Sequence, residues 1–139
     1  MLNDKKVTKG EEMKNLDYTQ WLIEGAQYQK AGCSGNQKKF TPTIAYNILS
    51  MSLESYCMAI MDKHKYLPEN HTIYDLVDGL ERVISLDKQL KARILDLAKY
   101  QEICSIAAFK IASPDEDAIS EFKSVIGLVE ELALKECAA

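Results

Sequence analysis

Residues 43 to 66 contain neither glycine nor proline, and they follow a Thr41-Pro42 step. Threonine is a good N-cap, and proline suits the first helical turn, where its missing N–H has no acceptor to lose. A stretch that opens this way and meets no breaker predicts one long helix, ending near His64 or Lys65. At 100° per residue, Ala45, Ile48, Leu49, Ser52, Leu53, Tyr56, Cys57, Ala59 and Ile60 fill a broad apolar arc. The opposite arc carries Asn47, Ser50, Glu54, Ser55 and Asp62, but also Met51 and Met58. A helix apolar on most sides is central to a bundle, or packs on a second chain as well.

The rest of the chain carries the same 3.6-residue period. A first helix is expected from near Asn15 to Lys30, with Leu16, Trp21, Leu22, Gly25 and Tyr28 on one face and Gly32 as its stop. Residues 32–39 are loop-like, and Lys38 and Lys39 beside Phe40 form a small basic spot. After Leu67-Pro68, a short third helix spans Thr72 to Ile84, with Thr72 and Asp75 at capping-box spacing. A fourth starts near Asp87 and is read as reaching about Ala112, with Leu90, Ile94, Leu97, Ala98, Gln101, Cys104 and Ala108 on one face. Ser113-Pro114 followed by three acids reads as the start of a fifth, with Ser113 as cap and the acids against the positive dipole end. That helix buries Ala118, Phe122, Val125, Ile126, Val129, Leu132 and Ala133. No alternating β-branched segment suggests a strand. The expected fold is therefore all-α: one antiparallel bundle of about five helices over residues 14–139, behind a polar, disordered leader over residues 1–13.

Charge and cysteine usage bound the function. With 17 basic and 21 acidic side chains the net charge is -4, which disfavours binding nucleic acid by bulk attraction. Only Arg82 and Arg93 are arginine, so bidentate phosphate recognition has little to draw on. Cys33, Cys57, Cys104 and Cys137 are scattered without a C-x-x-C pair, a pattern that reads as reduced, packed cysteine in a cytoplasmic protein. The charged first residues lead into no apolar run, so neither a signal peptide nor a membrane span is expected.

Catalytic and metal constellations are weak. Neither His64 nor His71 has a glutamate three residues before it, and H-E-x-x-H is missing, so no metal or other cofactor is expected. Cys57 and His64 are seven apart on one helix, roughly 10 Å along its axis, too far to pair as nucleophile and base. His64 instead suits the negative end of its helix. Two polar residues stand out. Gln101 sits in an apolar stripe and must find a hydrogen bond if buried, and Glu54 lies between Met51 and Met58. Each has either a partner inside the bundle or a place in a polar groove or oligomer contact. Tyr100, Gln101, Cys104 and His71 are the candidate groove, and Met51, Glu54 and Met58 the candidate homodimer face, methionine being adaptable at surfaces that meet other surfaces.

The stretch from Ala45 to Met61, with small residues before a mid-helix Glu54 and then Ala59 and Ile60, resembles the central helix of the HEPN domain family. His71-Thr72-Ile73-Tyr74-Asp75-Leu76 is similar to that family's His-Asp-Leu helix start, with extra spacing. The resemblance spans about Leu16 to Leu134, and Met58 stands where members often have lysine. It implies a compact helical bundle, often homodimeric. Active members cleave RNA without metal through Arg-x4–6-His in a late helix. The matching region here, Leu97 to Ala107, has no arginine or histidine, and neither Arg82 nor Arg93 has a histidine four to seven positions on. The resemblance therefore implies a catalytically degenerate member. Such members act as binding modules for a protein partner such as a nucleotidyltransferase, or for a nucleotide-like ligand. The alternatives are a ribonuclease-like enzyme with a rewired site around Lys99, Tyr100 and Gln101, and a purely structural bundle.

Overall fold

A computed structural model describes residues 18–34, 40–101 and 113–138, and among them all regular structure is helical, with no strand. The expected leader, Lys38 and Lys39, and Cys104 lie outside the described residues. Five α-helices follow one another: α1 over residues 18–32, α2 Pro42–Lys63, α3 Ile73–Val83, α4 Lys88–Leu97 and α5 Glu116–Cys137. A 3-10 turn, Ala98–Tyr100, continues α4.

Helix α2 is the axis of the bundle. It runs along α5, packs on α3, and buries Leu49, Leu53, Tyr56, Cys57, Ile60 and Met61. Its start is the expected one, with Thr41 Oγ1 accepting from Ile44 N–H at 3.2 Å and Pro42 in the first turn. Its end is a Schellman motif without glycine. Lys65 N–H donates to Asp62 O and Tyr66 N–H to Met61 O, each at 2.9 Å, while Lys65 takes a left-handed φ of 61°.

Helix α1 lies against α2 at two glycines. A Cβ on Gly25 would fall 2.8 Å from the Tyr56 ring, and one on Gly32 would fall 2.6 Å from Leu49 Cδ2. Gly32 is thus still helical and serves close packing; no described glycine has a positive φ, so it is not the left-handed stop expected of it. Hydrogen bonds fix the contact: Ser52 Oγ donates to Gly25 O at 2.8 Å, and Tyr56 Oη donates to Gln29 Oε1 at 2.5 Å. Gln29 Nε2 in turn donates to Glu130 Oε1 on α5 at 3.1 Å.

Helix α3 buries Ile73, Leu76, Val77 and Leu80, and α4 begins at its Asp87 cap, which accepts from Leu90 N–H at 2.9 Å. Two expected boundaries are corrected. The α5 cap is Asp115, whose Oδ1 accepts from Ala118 N–H at 2.8 Å; Ser113 and Pro114 lie before the helix. Asp115 caps as well as serine does and adds a negative charge at the positive dipole end, which moves the start two residues on. Helix α4 ends at Leu97 and does not run to Ala112; residues 102–112 lie outside the described residues. The Leu97 carbonyl accepts instead from Tyr46 Oη of α2 at 2.6 Å. Gln101 N–H turns to Ala98 O at 2.9 Å, tightening the last turn into 3-10 form.

Candidate functional site

The end of α4 meets the start of α3 on one side of α2. There Gln101 Oε1 accepts from Ile73 N–H at 2.9 Å, satisfying one of the N–H groups that a helix start leaves open. Thr72 Oγ1 accepts from Asp75 N–H at 3.2 Å, and its hydroxyl donates to Asp75 Oδ2 at 2.6 Å. Aspartate is one methylene shorter than the usual glutamate of a capping box, and its carboxylate meets the capping hydroxyl.

These contacts enclose an open groove of about 600 Å³. Helix α2 supplies Tyr46, Asn47 and Ser50; the turn before α3 supplies Asn70, His71 and the cap Thr72; α3 adds Asp75; and the turn after α4 adds Tyr100 and Gln101. Tyr46 forms the inner wall. Its ring meets Tyr100 edge-on at 5.4 Å between centroids, and Phe122 of the core at 5.3 Å. Burial pushes its phenol up to about 12, with the neighbouring Ser50 hydroxyl pulling slightly the other way. The Ser50 hydroxyl oxygen is shielded from solvent beside the Tyr46 phenol.

At the rim, Glu54 Oε2 lies 2.7 Å from His71 Nδ1. An ionised carboxylate only accepts, so Nδ1 carries the hydrogen, and in the neutral ring Nε2 is left as an acceptor. Beyond Asn70 and Asp75 the groove passes into a second depression of about 330 Å³, bordered by Tyr66, Leu67, Pro68, Glu69 and Asp78.

Of the residues singled out in sequence, the fold brings Tyr100, Gln101 and His71 to one groove, while Cys104 lies outside the described residues. Gln101 has its partner inside the bundle, at the α3 N-terminus, and Glu54 has His71. Lys99 does not line the groove, but its Nζ lies over the Tyr100 ring, 5.3 Å from the centroid, and 3.5 Å from Asp96 Oδ2.

The Met51–Met58 face is corrected. Met51 is 45% exposed, but Met58 is 3% exposed and belongs to the core. The two point to nearly the same side of α2, yet every residue from Ser55 to Met61 is buried, so the C-terminal half of the helix is covered all round. Tyr46 and Asp75 were not singled out as groove residues. Asn47, Ser50 and Glu54 at helical spacing on an otherwise apolar helix were the legible sign of a polar wall.

Other sites offer less. Cys57 is fully enclosed and burial pushes its thiol up to about 12, which leaves it an inert packing residue. His64 closes α2 and lies 3.5 Å from Glu136 Oε1. A cavity of about 40 Å³ among Gly32, Phe40, Pro42, Ala45 and Ile119 has room only for water. Among the described residues no group of three or more His, Cys, Asp or Glu is placed to hold a metal, and no helix is long and apolar enough to cross a membrane. No family model matches the chain, and no curated protein or solved structure shows a significant likeness to it.

Proposed function

We propose that this chain is a non-catalytic helical binding module of HEPN type that engages a protein partner, such as a nucleotidyltransferase, through the groove between α2, α3 and the end of α4. The observation that carries the reading is the groove itself. It is a wide, preformed, partly polar concavity walled by Tyr46 and Tyr100, with side-chain amides from Asn47, Asn70 and Gln101 in reach. The two stretches on which the family resemblance rests meet there, through the Glu54–His71 hydrogen bond. A protein partner is favoured over a nucleotide-like ligand because the described wall holds no lysine or arginine to meet a phosphate. The ribonuclease-like alternative is disfavoured by the same geometry, since Gln101 Oε1 is committed to Ile73 N–H and Lys99 faces Asp96.

A fragment screen read by amide chemical shifts tests the site. Hits are expected to cluster at Asn47, Asn70, His71 and Tyr100; hits confined to other surfaces would remove the groove as the binding locus. Self-association through α2 rests on Met51 with its neighbours Ile44 and Asn47, Met58 being internal. Sedimentation of Met51→Glu beside wild type tests that second property: a dimer reduced to monomer is expected, and a wild type already monomeric contradicts it.

A further inference from the structure

The groove is lined by neutral donors that the fold leaves unused. No described residue accepts a hydrogen bond from the side-chain amides of Asn47 and Asn70 or from the Tyr100 hydroxyl. Gln101 adds a fourth donor that is already oriented: its Oε1 is held by Ile73 N–H, so Nε2 is the end left over. The carboxylates beside them are engaged, Asp75 Oδ2 by the Thr72 hydroxyl and Glu54 Oε2 by His71. Lysine and arginine are missing from the described lining.

Donors without countercharge, set beside tyrosine rings, match a ligand rich in carbonyl oxygens and poor in N–H groups. The wall already makes one such contact, since Tyr46 Oη donates to the Leu97 carbonyl, which has no partner within its own helix. A helical or sheet-paired segment has spent its carbonyls on its own hydrogen bonds. A proline-rich segment in polyproline II form has not: it makes no internal hydrogen bonds, and each proline lacks the N–H that would need an acceptor. Its rings pack on aromatic side chains, and its stiffness lowers the entropy lost on docking. The shape suits such an extended occupant. Past Asn70 and Asp75 the groove continues into the second depression, where Tyr66 and Pro68 border it and Leu67 is 55% exposed.

We propose that the groove takes an uncharged, proline-rich segment of a partner protein in polyproline II form. Tyr100 meets its rings, and Asn47, Asn70 and Gln101 donate to its carbonyls. This rests on the groove being the binding surface.

Titration of the 15N-labelled full chain with four probes tests it: capped octaproline, a capped octamer of alternating glycine and serine, maltotriose and adenosine. Octaproline is expected to shift the amides of Asn47, Asn70, Tyr100 and Gln101 at concentrations where the flexible octamer does not. Asn70→Ala removes one donor from a side chain that makes no described hydrogen bond, and is expected to weaken octaproline binding roughly fivefold, the scale of one neutral hydrogen bond. Asn47→Ala, also exposed, is the second variant should the first lose its fold, and a similar loss is expected there. Equal responses to the two peptides, or unchanged affinity in both folded variants, would overturn the proposal. Shifts at the groove with maltotriose or adenosine but not with octaproline would overturn it and leave the groove reading standing. Silence with octaproline at millimolar concentration would overturn it too, and the fragment screen then decides the groove independently.

Discussion

Lys65 holds a left-handed φ of 61° at the end of α2, a conformation that costs a side-chain-bearing residue roughly 1 kcal/mol or more. Its side chain is exposed, so Lys65→Gly is expected to stabilise the protein by about 0.5–1 kcal/mol, after allowing for glycine's greater freedom in the unfolded chain. Urea unfolding reads this directly, and a loss of stability would mean that the Lys65 side chain makes a compensating contact. Gln101 belongs to the same scale. Gln101→Ala strips the acceptor from Ile73 N–H in a half-buried place and is expected to cost about 1 kcal/mol, with faster amide exchange at Ile73. That Gln101 needed a partner was legible from its place in an apolar stripe. Which donor it would meet was not, because that depends on where α4 stops.

Helix starts were legible where one capping residue stood ahead of one periodic stretch, as at Thr41, Thr72 and Asp87. They slipped where two caps competed, serine at 113 and aspartate at 115. The end of α4 was hidden for a different reason: it is set by Tyr46, fifty-one positions earlier, whose hydroxyl takes the Leu97 carbonyl. Local periodicity carries no trace of such a contact. The glycines divide in the same way. Adding a methyl at Gly25 drives it into the enclosed Tyr56 ring, so Gly25→Ala is expected to destabilise by about 1–3 kcal/mol despite its better helix propensity. At Gly127 on α5 a Cβ would meet nothing within 4 Å, so Gly127→Ala is expected to stabilise by up to about 1 kcal/mol. Denaturation midpoints of the pair should move in opposite directions; a shared direction would contradict the α1–α2 packing.

At the scale of the molecule, the buried acids set an alkaline limit. Tyr46 rises from its ordinary 10.0 to about 12 and Cys57 from 9.0 to about 12, both mainly through burial, and burial pushes Tyr56 up as well. A group whose pKa is raised on folding keeps its proton in the native state and loses it first in the unfolded chain. The stability tied to these protons is complete below about pH 9 and is lost as pH climbs towards about 12. Thermal midpoints are expected to fall across that window, less steeply in Cys57→Ala, and a flat profile would contradict the enclosure of these side chains. The all-helical fold and the central place of α2 were readable from periodicity, because one long helix apolar on most sides has to be surrounded. The groove was only half readable: Tyr100, Gln101 and His71 were singled out, but Tyr46 and Asp75 joined them only once the helices were placed.

Hydrogen–deuterium exchange of the full chain, with and without the hits of the fragment screen, tests the central claim most directly, that this groove is where the protein binds. The bound fragments are expected to slow exchange over residues 44–54, 70–75 and 97–101 and to leave α5 over residues 120–134 unchanged. Protection confined to α5 or α1, with the groove segments exchanging as in the free protein, would contradict it.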